Sequence, residues 1–218
     1  MSNQLVALDQ LNAALQATQR RLITEREDER KALARELHDQ IIQDMLGLIY
    51  HLEEIEEKSG SAGVKQDVGL VRSGIRSLVE ELRQVCSDLR PPTIDHHGLP
   101  AAINSLANEW SDRSEVEVHL EIDPALGRLP EMMELSLFRI VQEGLNNVRK
   151  HASAKHVRLS LQRTSSTNLL LRLEDDGIGL AQPTDLASLA NDKHFGLVGI
   201  SERVALFGGT IHIESSKG

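Results

Sequence analysis

Leu89-Arg90-Pro91-Pro92 divides this chain of 218 residues into two parts that differ in architecture. All six prolines lie at position 91 or later, so the first part can be helical without a break. After the proline pair, the pattern changes to short alternating stretches separated by glycines, which are typical of strands and turns. This break predicts an all-helical first part and a second part that combines helices with a sheet.

Two apolar repeats before the break predict a helical hairpin. They lie at 33–55 and 68–89, are joined by the turn Ser59–Gly63, and space their apolar residues by threes and fours. Because one hairpin covers two such stripes poorly, we expect two copies of the chain to pair as a four-helix bundle. The repeats consist of Leu33, Leu37, Ile41, Met45, Leu48, Leu52, Ile55, Val68, Val71, Ile75, Leu78, Leu82, Val85 and Leu89.

A shorter apolar seam precedes the hairpin and predicts a coiled coil over residues 1–30. The charged stretch Thr24–Lys31 follows it, and the seam resumes at Leu33, eleven residues after Leu22, so its pitch changes there. This stretch is either a junction that transmits rotation or shear, or a solvated helical segment without a special role. The seam consists of Leu8, Leu11, Leu15, Thr18 and Leu22.

The composition excludes several classes of protein. A net charge of −9 argues against a chain that binds nucleic acid directly, which needs a basic face. No run of about 18 apolar residues is present and no signal-peptide pattern follows Met1, so we expect no membrane span in the chain. The single cysteine, Cys86, excludes an internal disulfide and fits a reducing compartment. We therefore expect a cytoplasmic chain, either whole or the cytoplasmic portion of a larger, membrane-anchored protein.

Periodicities after the proline pair predict an α/β sandwich, with helices over one face of a mixed sheet. Aromatic residues make up only 2% of the chain, so its cores must be aliphatic. We expect residues 31–92 and 93–218 to form separate domains. The predicted strands lie at 116–122, 156–162, 168–174 and 210–214, and the predicted helices at 99–110, 137–152 and 197–207.

The first candidate site is Glu36-Leu37-His38-Asp39-Gln40-Ile41-Ile42-Gln43, on the first helix of the hairpin. His38 is turned about 100° from the apolar position before it, toward the surface of the bundle. A neighbouring carboxylate such as Asp39 can fix the imidazole tautomer, leave one nitrogen free to attack phosphorus, and accept the released proton. Gln43 shares a face with Asp39 and suits the positioning of a water for the reverse hydrolysis. The competing interpretation is an ordinary surface pair of histidine and aspartate.

The second candidate site is Glu143-Gly144-Leu145-Asn146-Asn147-Val148-Arg149-Lys150-His151. Glu143 and Asn147 lie one helical turn apart, with Lys150 and His151 one further turn along. A carboxylate and an amide oxygen at this spacing suit Mg²⁺, which takes few protein ligands, and Lys150 offers positive charge to phosphates. The competing interpretation is a solvated helix face rich in charge.

The third candidate site, Asp175-Asp176-Gly177-Ile178-Gly179, directly follows an aliphatic strand. Its two glycines let the backbone bend tightly and approach a ligand. A buried carboxylate at the end of the strand can accept the exocyclic amine of adenine, which makes Asp175 a candidate for base recognition. The glycine spacing fits neither a dinucleotide-binding nor a P-loop pattern, and the final glutamate of a calcium loop is absent.

The fourth candidate site is the pair Gly196 and Gly199, which opens a short helix. The N-terminus of a helix offers backbone N–H groups to phosphate oxygens. The polar stretch Ala181–His194 before it is long enough for a mobile lid. By itself, each glycine pair more often marks a turn.

In this order the four motifs resemble the H, N and two glycine-rich boxes of the sensor histidine kinases of two-component systems. The resemblance covers about residue 30 to the end of the chain. The His-Asp-x-x-x-Gln arrangement at 38–43 and the segment 89–92 resemble one subgroup, which pairs with response regulators that carry a LuxR/NarL-type helix-turn-helix domain. The resemblance implies a homodimeric hairpin followed by a Bergerat-type ATP-binding domain of the GHKL superfamily.

The resemblance also implies a role for each candidate residue. His38 would be the phosphoacceptor, Asp39 its base and Gln43 the phosphatase residue, and the phosphoryl group would pass to an aspartate of a response regulator. ATP and Mg²⁺ are the implied cofactors, with Asn147 as the Mg²⁺ ligand and Glu143 beside it as a catalytic residue and second ligand. The other implied nucleotide contacts are Lys150, His151, Asp175, Gly177, Gly179, Gly196 and Gly199.

Two alternatives keep the nucleotide-binding fold and change the activity. The family normally continues past 215–218 into a final strand, so we expect the ATP-binding domain to lack its last strand and to expose a sheet edge. Such a chain can be a dimerising module that only binds the regulator or dephosphorylates it. The other alternative is an anti-sigma-type serine kinase of the same superfamily, against which the hairpin that bears His38 argues.

Overall fold

The structure is a computed structural model that describes residues 2–179 and 195–215. The chain forms two compact units, Met1–Arg20 together with Thr93–Gly218, and Arg21–Pro92. The proline pair that ends the helical part marks one boundary between these units. The division into domains at 1–30, 31–92 and 93–218 stays a prediction.

The unit Arg21–Pro92 contains the predicted helical hairpin. Its helices are α1 (Ser2–Glu36), whose first residues belong to the other unit, α2 (Gln43–Lys58) and α3 (Ala62–Leu89), with a π-helical turn, Leu37–Ile42, between α1 and α2. Ion pairs of Arg72 with Glu56 and of Arg76 with Glu53 show that α3 runs antiparallel to α2. Across the described parts of the chain, no helix is both long enough and apolar enough to cross a membrane.

A small aliphatic core holds the arms of the hairpin together. Ile42 and Val79 are almost fully buried, and Cys86 is a buried thiol beside them. Burial raises the pKa of the Cys86 thiol, so this side chain stays neutral and packs as a small apolar residue. The partly buried residues around this core are Leu37, Met45, Leu46, Ile75 and Leu82.

The single hairpin leaves part of the predicted apolar row uncovered, as expected, because one hairpin covers two such stripes poorly. Ile41 is 41% exposed, whereas its neighbour Ile42 is 1% exposed. The arms pack through Ile42, Val79 and Cys86, which lie outside the predicted row, together with the row members Leu37, Met45, Ile75 and Leu82. Seven exposed apolar residues recur at intervals of seven along the two arms and form an exposed heptad row, which consists of Ile41, Leu48, Ile55, Val64, Val71, Leu78 and Val85.

The other unit is built of helices and a sheet, as predicted. Its elements are α4 (Pro92–Ser114), β1 (Glu117–Ile122), α5 (Glu131–Asn147), a π-helical turn (Val148–Ala152), β2 (His156–Arg163), β3 (Leu169–Asp175) and α6 (Phe195–Ala205). β1 pairs with β2 in parallel and β2 pairs with β3 in antiparallel orientation, so the sheet is mixed. Within α4, Gly98 adopts a positive φ of 81°, which only glycine takes readily, and separates two helical segments.

One mainly aliphatic core, which also contains Trp110 and Phe138, joins α4 and α5 to one face of the sheet. Leu99, Leu145 and Leu161 are completely buried, and each comes from a different element. Along β2, buried residues alternate with exposed ones such as Arg158, so the opposite face of the sheet is polar. This alternation is the pattern on which the prediction of a one-sided helix cover depended.

Two sequence-based expectations concern the end of the chain. The predicted strand at 210–214 is wrong, because residues 209–215 form no regular element. Its apolar residues alternate as in a strand, but a strand also needs a neighbour for its ladder, and no described residue pairs with this segment. The predicted lid at 181–194 lies outside the described residues.

Candidate functional site

His38 and Asp39 form a hydrogen-bonded pair on the surface of the hairpin. Nδ1 of His38 lies 3.0 Å from Oδ1 of Asp39, and the two side chains are 57% and 71% exposed. A carboxylate that accepts from Nδ1–H leaves the lone pair of Nε2 directed to solvent. Gln43, the first residue of α2, is also exposed. The arrangement suits a nucleophile with a fixed tautomer and an accessible attacking nitrogen.

Both predicted helical sites include a π-helical turn. Leu37–Ile42 carries the pair of His38 and Asp39, and Val148–Ala152 carries the exposed residues Lys150 and His151. Such turns are rare and frequently lie at functional sites. Sequence reasoning missed both of them, since their apolar spacing does not differ visibly from that of an α-helix.

Glu143 and Asn147 lie one turn apart on α5, and both side chains are half-buried. Within residues 2–179 and 195–215, neither side chain makes a hydrogen bond, so their oxygens are available to a ligand. An unpaired carboxylate and amide at this spacing fit the small number of protein ligands that Mg²⁺ takes. The same described ranges contain no cluster of three or more His, Cys, Asp or Glu that could hold a metal ion by itself.

Gly196, at the start of α6, lies directly against the side chain of Glu143. A Cβ at position 196 would overlap Oε1 of Glu143 and lie 2.9 Å from its Cδ. The absence of a side chain at Gly196 therefore allows the first turn of α6 to reach α5. Two motifs more than 50 residues apart in sequence are thereby brought together.

Gly177 makes an equally close approach to the other end of this helical segment. A Cβ at position 177 would overlap the carbonyl oxygen of Ala152 and lie 2.7 Å from its Cβ. The backbone N–H of Ile178 donates to that same carbonyl at 2.8 Å. The glycine is therefore needed for close backbone approach, while Gly179 has a positive φ of 70° that also favours glycine.

The two glycine contacts lie at the two ends of one helical segment, which runs from Glu143 in α5 to Ala152 in the π-helical turn. Over this length a helix rises roughly 13 Å. Gly196 contacts the first end and Gly177 the second, and Asn147 lies between the two ends in sequence. The structure thus brings the third and fourth sequence motifs into contact with the helical segment that carries the second.

Asp175 is the last residue of β3 and lies on the same side of the sheet as Leu173, which packs against α5. Its Oδ1 accepts the backbone N–H of Gly177 at 3.0 Å. The expectation that its carboxylate is buried is wrong, because the side chain is exposed.

Sequence reasoning missed Asp176, the neighbour of that carboxylate. Its Oδ1 accepts the backbone N–H groups of Lys155 and His156 at 2.7 and 2.9 Å, and its Oδ2 lies 2.7 Å from Nδ1 of His156. These hydrogen bonds hold the pKa of Asp176 well below its usual range. The hydrogen bond from the backbone N–H of His156 lowers the pKa most. Only the strand pairing brings these residues together, so the motif itself carries no signal for this role.

Two protein families match the chain in separate ranges. Residues 29–94 match the family described as "Histidine kinase", and residues 132–218 match "Histidine kinase-, DNA gyrase B-, and HSP90-like ATPase". Every candidate site residue lies within one of these two ranges.

Curated relatives match across both ranges. The sensor histidine kinase MctS of Rhizobium johnstonii is 29% identical over 94% of this chain and 44% of its own length. The signal transduction histidine-protein kinase/phosphatase DegS of Brevibacillus brevis is 30% identical over 89% of this chain and 50% of its own length. This chain therefore spans about half the length of the curated relatives it matches.

A solved structure shares the fold. The histidine kinase domain of a blue-light activated histidine kinase from Erythrobacter litoralis EL346 has a TM-score of 0.50 and 18% sequence identity. The match covers 80% of this chain and 89% of that chain. It agrees with a helical hairpin region followed by a small α/β ATPase domain.

Proposed function

We propose that this chain, which belongs to the histidine kinase family, transfers the γ-phosphoryl group of ATP to its own His38. The observation that carries the proposal is the contact of two glycine motifs with α5 and its π-helical turn, where Gly196 meets Glu143 and Gly177 meets Ala152. These contacts bring three separate segments together, which supports a single nucleotide site built from them. The exposed pair of histidine and aspartate on the hairpin supplies an acceptor.

The adenine binds beside the end of β3. Asp175 accepts the exocyclic amine of the base, and Gly177 and Gly179 let the backbone approach its ring. His151 lies next to Ala152 in the π-helical turn that Gly177 contacts, and we assign it to the same binding site. A carboxylate acceptor selects adenine over guanine, which presents a carbonyl at the corresponding position.

The triphosphate extends along α5 toward the start of α6. Lys150 donates to the phosphates, and the backbone N–H groups near Gly196 and Gly199 at the start of α6 provide an anion site. Asn147 and Glu143 would hold Mg²⁺, which neutralises charge on the phosphates when bound. Their half-buried, unpaired oxygens support this assignment.

The chemical step uses the pair on the hairpin. Nε2 of His38 attacks the γ-phosphorus in line, and a nitrogen–phosphorus bond forms as the bond from phosphorus to the β–γ bridging oxygen breaks. ADP leaves with that electron pair, and Asp39 takes the proton from Nδ1. The phosphoryl group then passes to an aspartate of a response regulator, which we expect to carry a LuxR/NarL-type output domain. ATP and such regulators place this activity in the cytoplasm.

Dephosphorylation of the regulator is a second proposed activity. Gln43 is exposed, close in sequence to the phosphoacceptor, and suits the positioning of an attacking water. The name of DegS, which describes a kinase/phosphatase, supports this proposal.

The functional unit is a homodimer in which the exposed heptad row of one hairpin packs against that of a second copy. The row is continuous along both arms and has the spacing of a helix-bundle seam, as shown by Ile41 and Leu48 on one arm and Val71 and Leu78 on the other. The apolar residues Leu11, Leu15 and Leu22 of α1 are exposed as well and would extend the dimer as a coiled coil.

Incubation with γ-labelled ATP tests the proposal. We expect an acid-labile, base-stable label that disappears in His38→Gln and persists in His51→Gln, a matched exposed histidine on α2. Asp39→Asn should label about 10²-fold to 10⁴-fold more slowly, as expected for loss of a general base. A label that persists in His38→Gln contradicts the acceptor assignment, and an acid-stable label favours a serine kinase. ATP binding without any label favours a module that only binds or dephosphorylates the regulator.

A further inference from the structure

Asp176 ties the end of β3 to the start of β2. Its carboxylate accepts three hydrogen bonds, two from the backbone N–H groups of Lys155 and His156 and one from the His156 ring. In the other direction, the backbone N–H of Asp176 donates to the carbonyl of His156 at 3.3 Å. The imidazole also lies near Glu117, with 3.7 Å between Nε2 and Oε2. One side of the segment 175–179 is thus fixed to β2.

The other side of this segment is fixed to the π-helical turn. Ile178 donates to the carbonyl of Ala152, against which Gly177 packs without space for a side chain. Asp175 stands immediately before these two attachments, and its carboxylate is bonded to the backbone of Gly177. The direction of the Asp175 carboxylate therefore depends on both attachments.

The sheet itself does not need the carboxylate of Asp176. β2 and β3 pair continuously, from Val157 opposite Asp175 to Arg163 opposite Leu169. The core side chains of both strands lie on the face of the sheet that is turned away from solvent. The side chain of Asp176 is 46% exposed, so water can replace its hydrogen bonds when it is removed. Its effect should consequently concentrate on the loop rather than on the fold.

We propose that Asp176 is a positioning residue that holds the segment 175–179 in the conformation in which Asp175 receives adenine. This inference rests on the proposed function for the role of Asp175 and adds a residue that does not touch the nucleotide. Its low pKa agrees with a carboxylate that remains ionised, and so bonded, across the physiological range. Without Asp176, nucleotide binding would have to order the segment, which costs conformational entropy.

The test compares Asp176→Ala, Asp176→Asn and Glu174→Gln in the full chain. Glu174 lies two residues before Asp176 and pairs with Arg158 and Arg172 on the solvent face of the sheet, so its substitution is a matched control. We measure the Kd for ATP and for GTP, amide hydrogen exchange of 175–179 without nucleotide, and the melting temperature. Asp176→Ala should raise the Kd for ATP about tenfold, which corresponds to the entropy of ordering roughly one residue.

Further expected results separate positioning from general stability. The ratio of ATP to GTP affinity should fall in Asp176→Ala, exchange of 175–179 should accelerate, and the melting temperature should stay close to that of Glu174→Gln. Asp176→Asn keeps one acceptor oxygen and should be intermediate. Unchanged exchange and unchanged ATP affinity in Asp176→Ala would overturn the inference, as would a loss of affinity explained entirely by global unfolding. If the wild-type chain binds no ATP, the proposed function fails, and the exchange comparison still decides whether Asp176 holds the segment.

Discussion

The carboxylate of Glu143 lies against the backbone of Gly196, so that no side chain fits between them. This contact joins the first turn of α6 to the C-terminal part of α5, and it places a candidate Mg²⁺ ligand next to a candidate phosphate-binding helix terminus. The two residues belong to different sequence motifs, and their contact is the strongest structural sign that these motifs form one site.

Gly196→Ala should impair the site while leaving the fold intact. The added methyl group must displace the end of the flexible Glu143 side chain, and misplacement by about 1 Å at such a site can cost on the order of 100-fold in rate. The measurement is kcat/KM for autophosphorylation. Gly60→Ala serves as control, because a Cβ there has open space around it. Equal activities in the two variants would show that the contact is irrelevant to catalysis.

Gly177→Ala should destabilise the nucleotide-binding unit. Its Cβ would overlap the backbone carbonyl of Ala152, which cannot rotate away as a side chain can, so we expect about 1–3 kcal/mol of lost stability. Urea unfolding measures this difference. Gly199→Ala is the stability control, since its Cβ would have only an ordinary contact of 3.6 Å with Arg203 and the position is helical. A Gly177→Ala unit as stable as that control would contradict the close packing.

Leu78→Glu should convert the proposed dimer to monomers. Leu78 belongs to the exposed heptad row, and each dimer would bury two unpaired charges, which we expect to weaken association by at least about 100-fold. Sedimentation velocity over a concentration series measures the shift. Leu70→Glu is the control, because Leu70 is even more exposed, at 67%, and lies outside the row. Dissociation by both substitutions, or by neither, would argue against this seam.

The ionised Asp176 should hold the segment 175–179 in place only above acid pH. Because its pKa is lowered in the ordered segment, chiefly by the backbone N–H of His156, its contribution is present above the ordinary value of about 3.9 and is lost progressively as the pH falls below it. The protection of the amides of 175–179 from hydrogen exchange, compared between wild type and Asp176→Asn at each pH, should therefore differ near neutral pH and converge in acid. A difference in protection that grows as the pH falls would contradict this prediction.

Much of the fold could be predicted from local patterns. The alternation along β2 identified its buried face, and the proline pair at 91–92 separated the hairpin from the α/β part. The strand at 210–214 could not be predicted reliably, since alternation shows only which face an extended segment would bury and not whether a partner strand is available. Ile42 was missed as a core residue for a related reason, because its row is offset by one residue from the heptad pattern.

By itself, the sequence determined the helical hairpin, the mixed α/β unit and the four motifs with their order, because periodicity and glycine or proline positions act locally along the chain. Only the tertiary structure decided that Gly196 meets Glu143, that Gly177 meets Ala152, and that Asp176 bonds to His156. Each of these contacts joins residues 20 or more positions apart, and their geometry depends on how α5 and the strands pack. No local pattern encodes that packing, because it follows from the burial of the shared core.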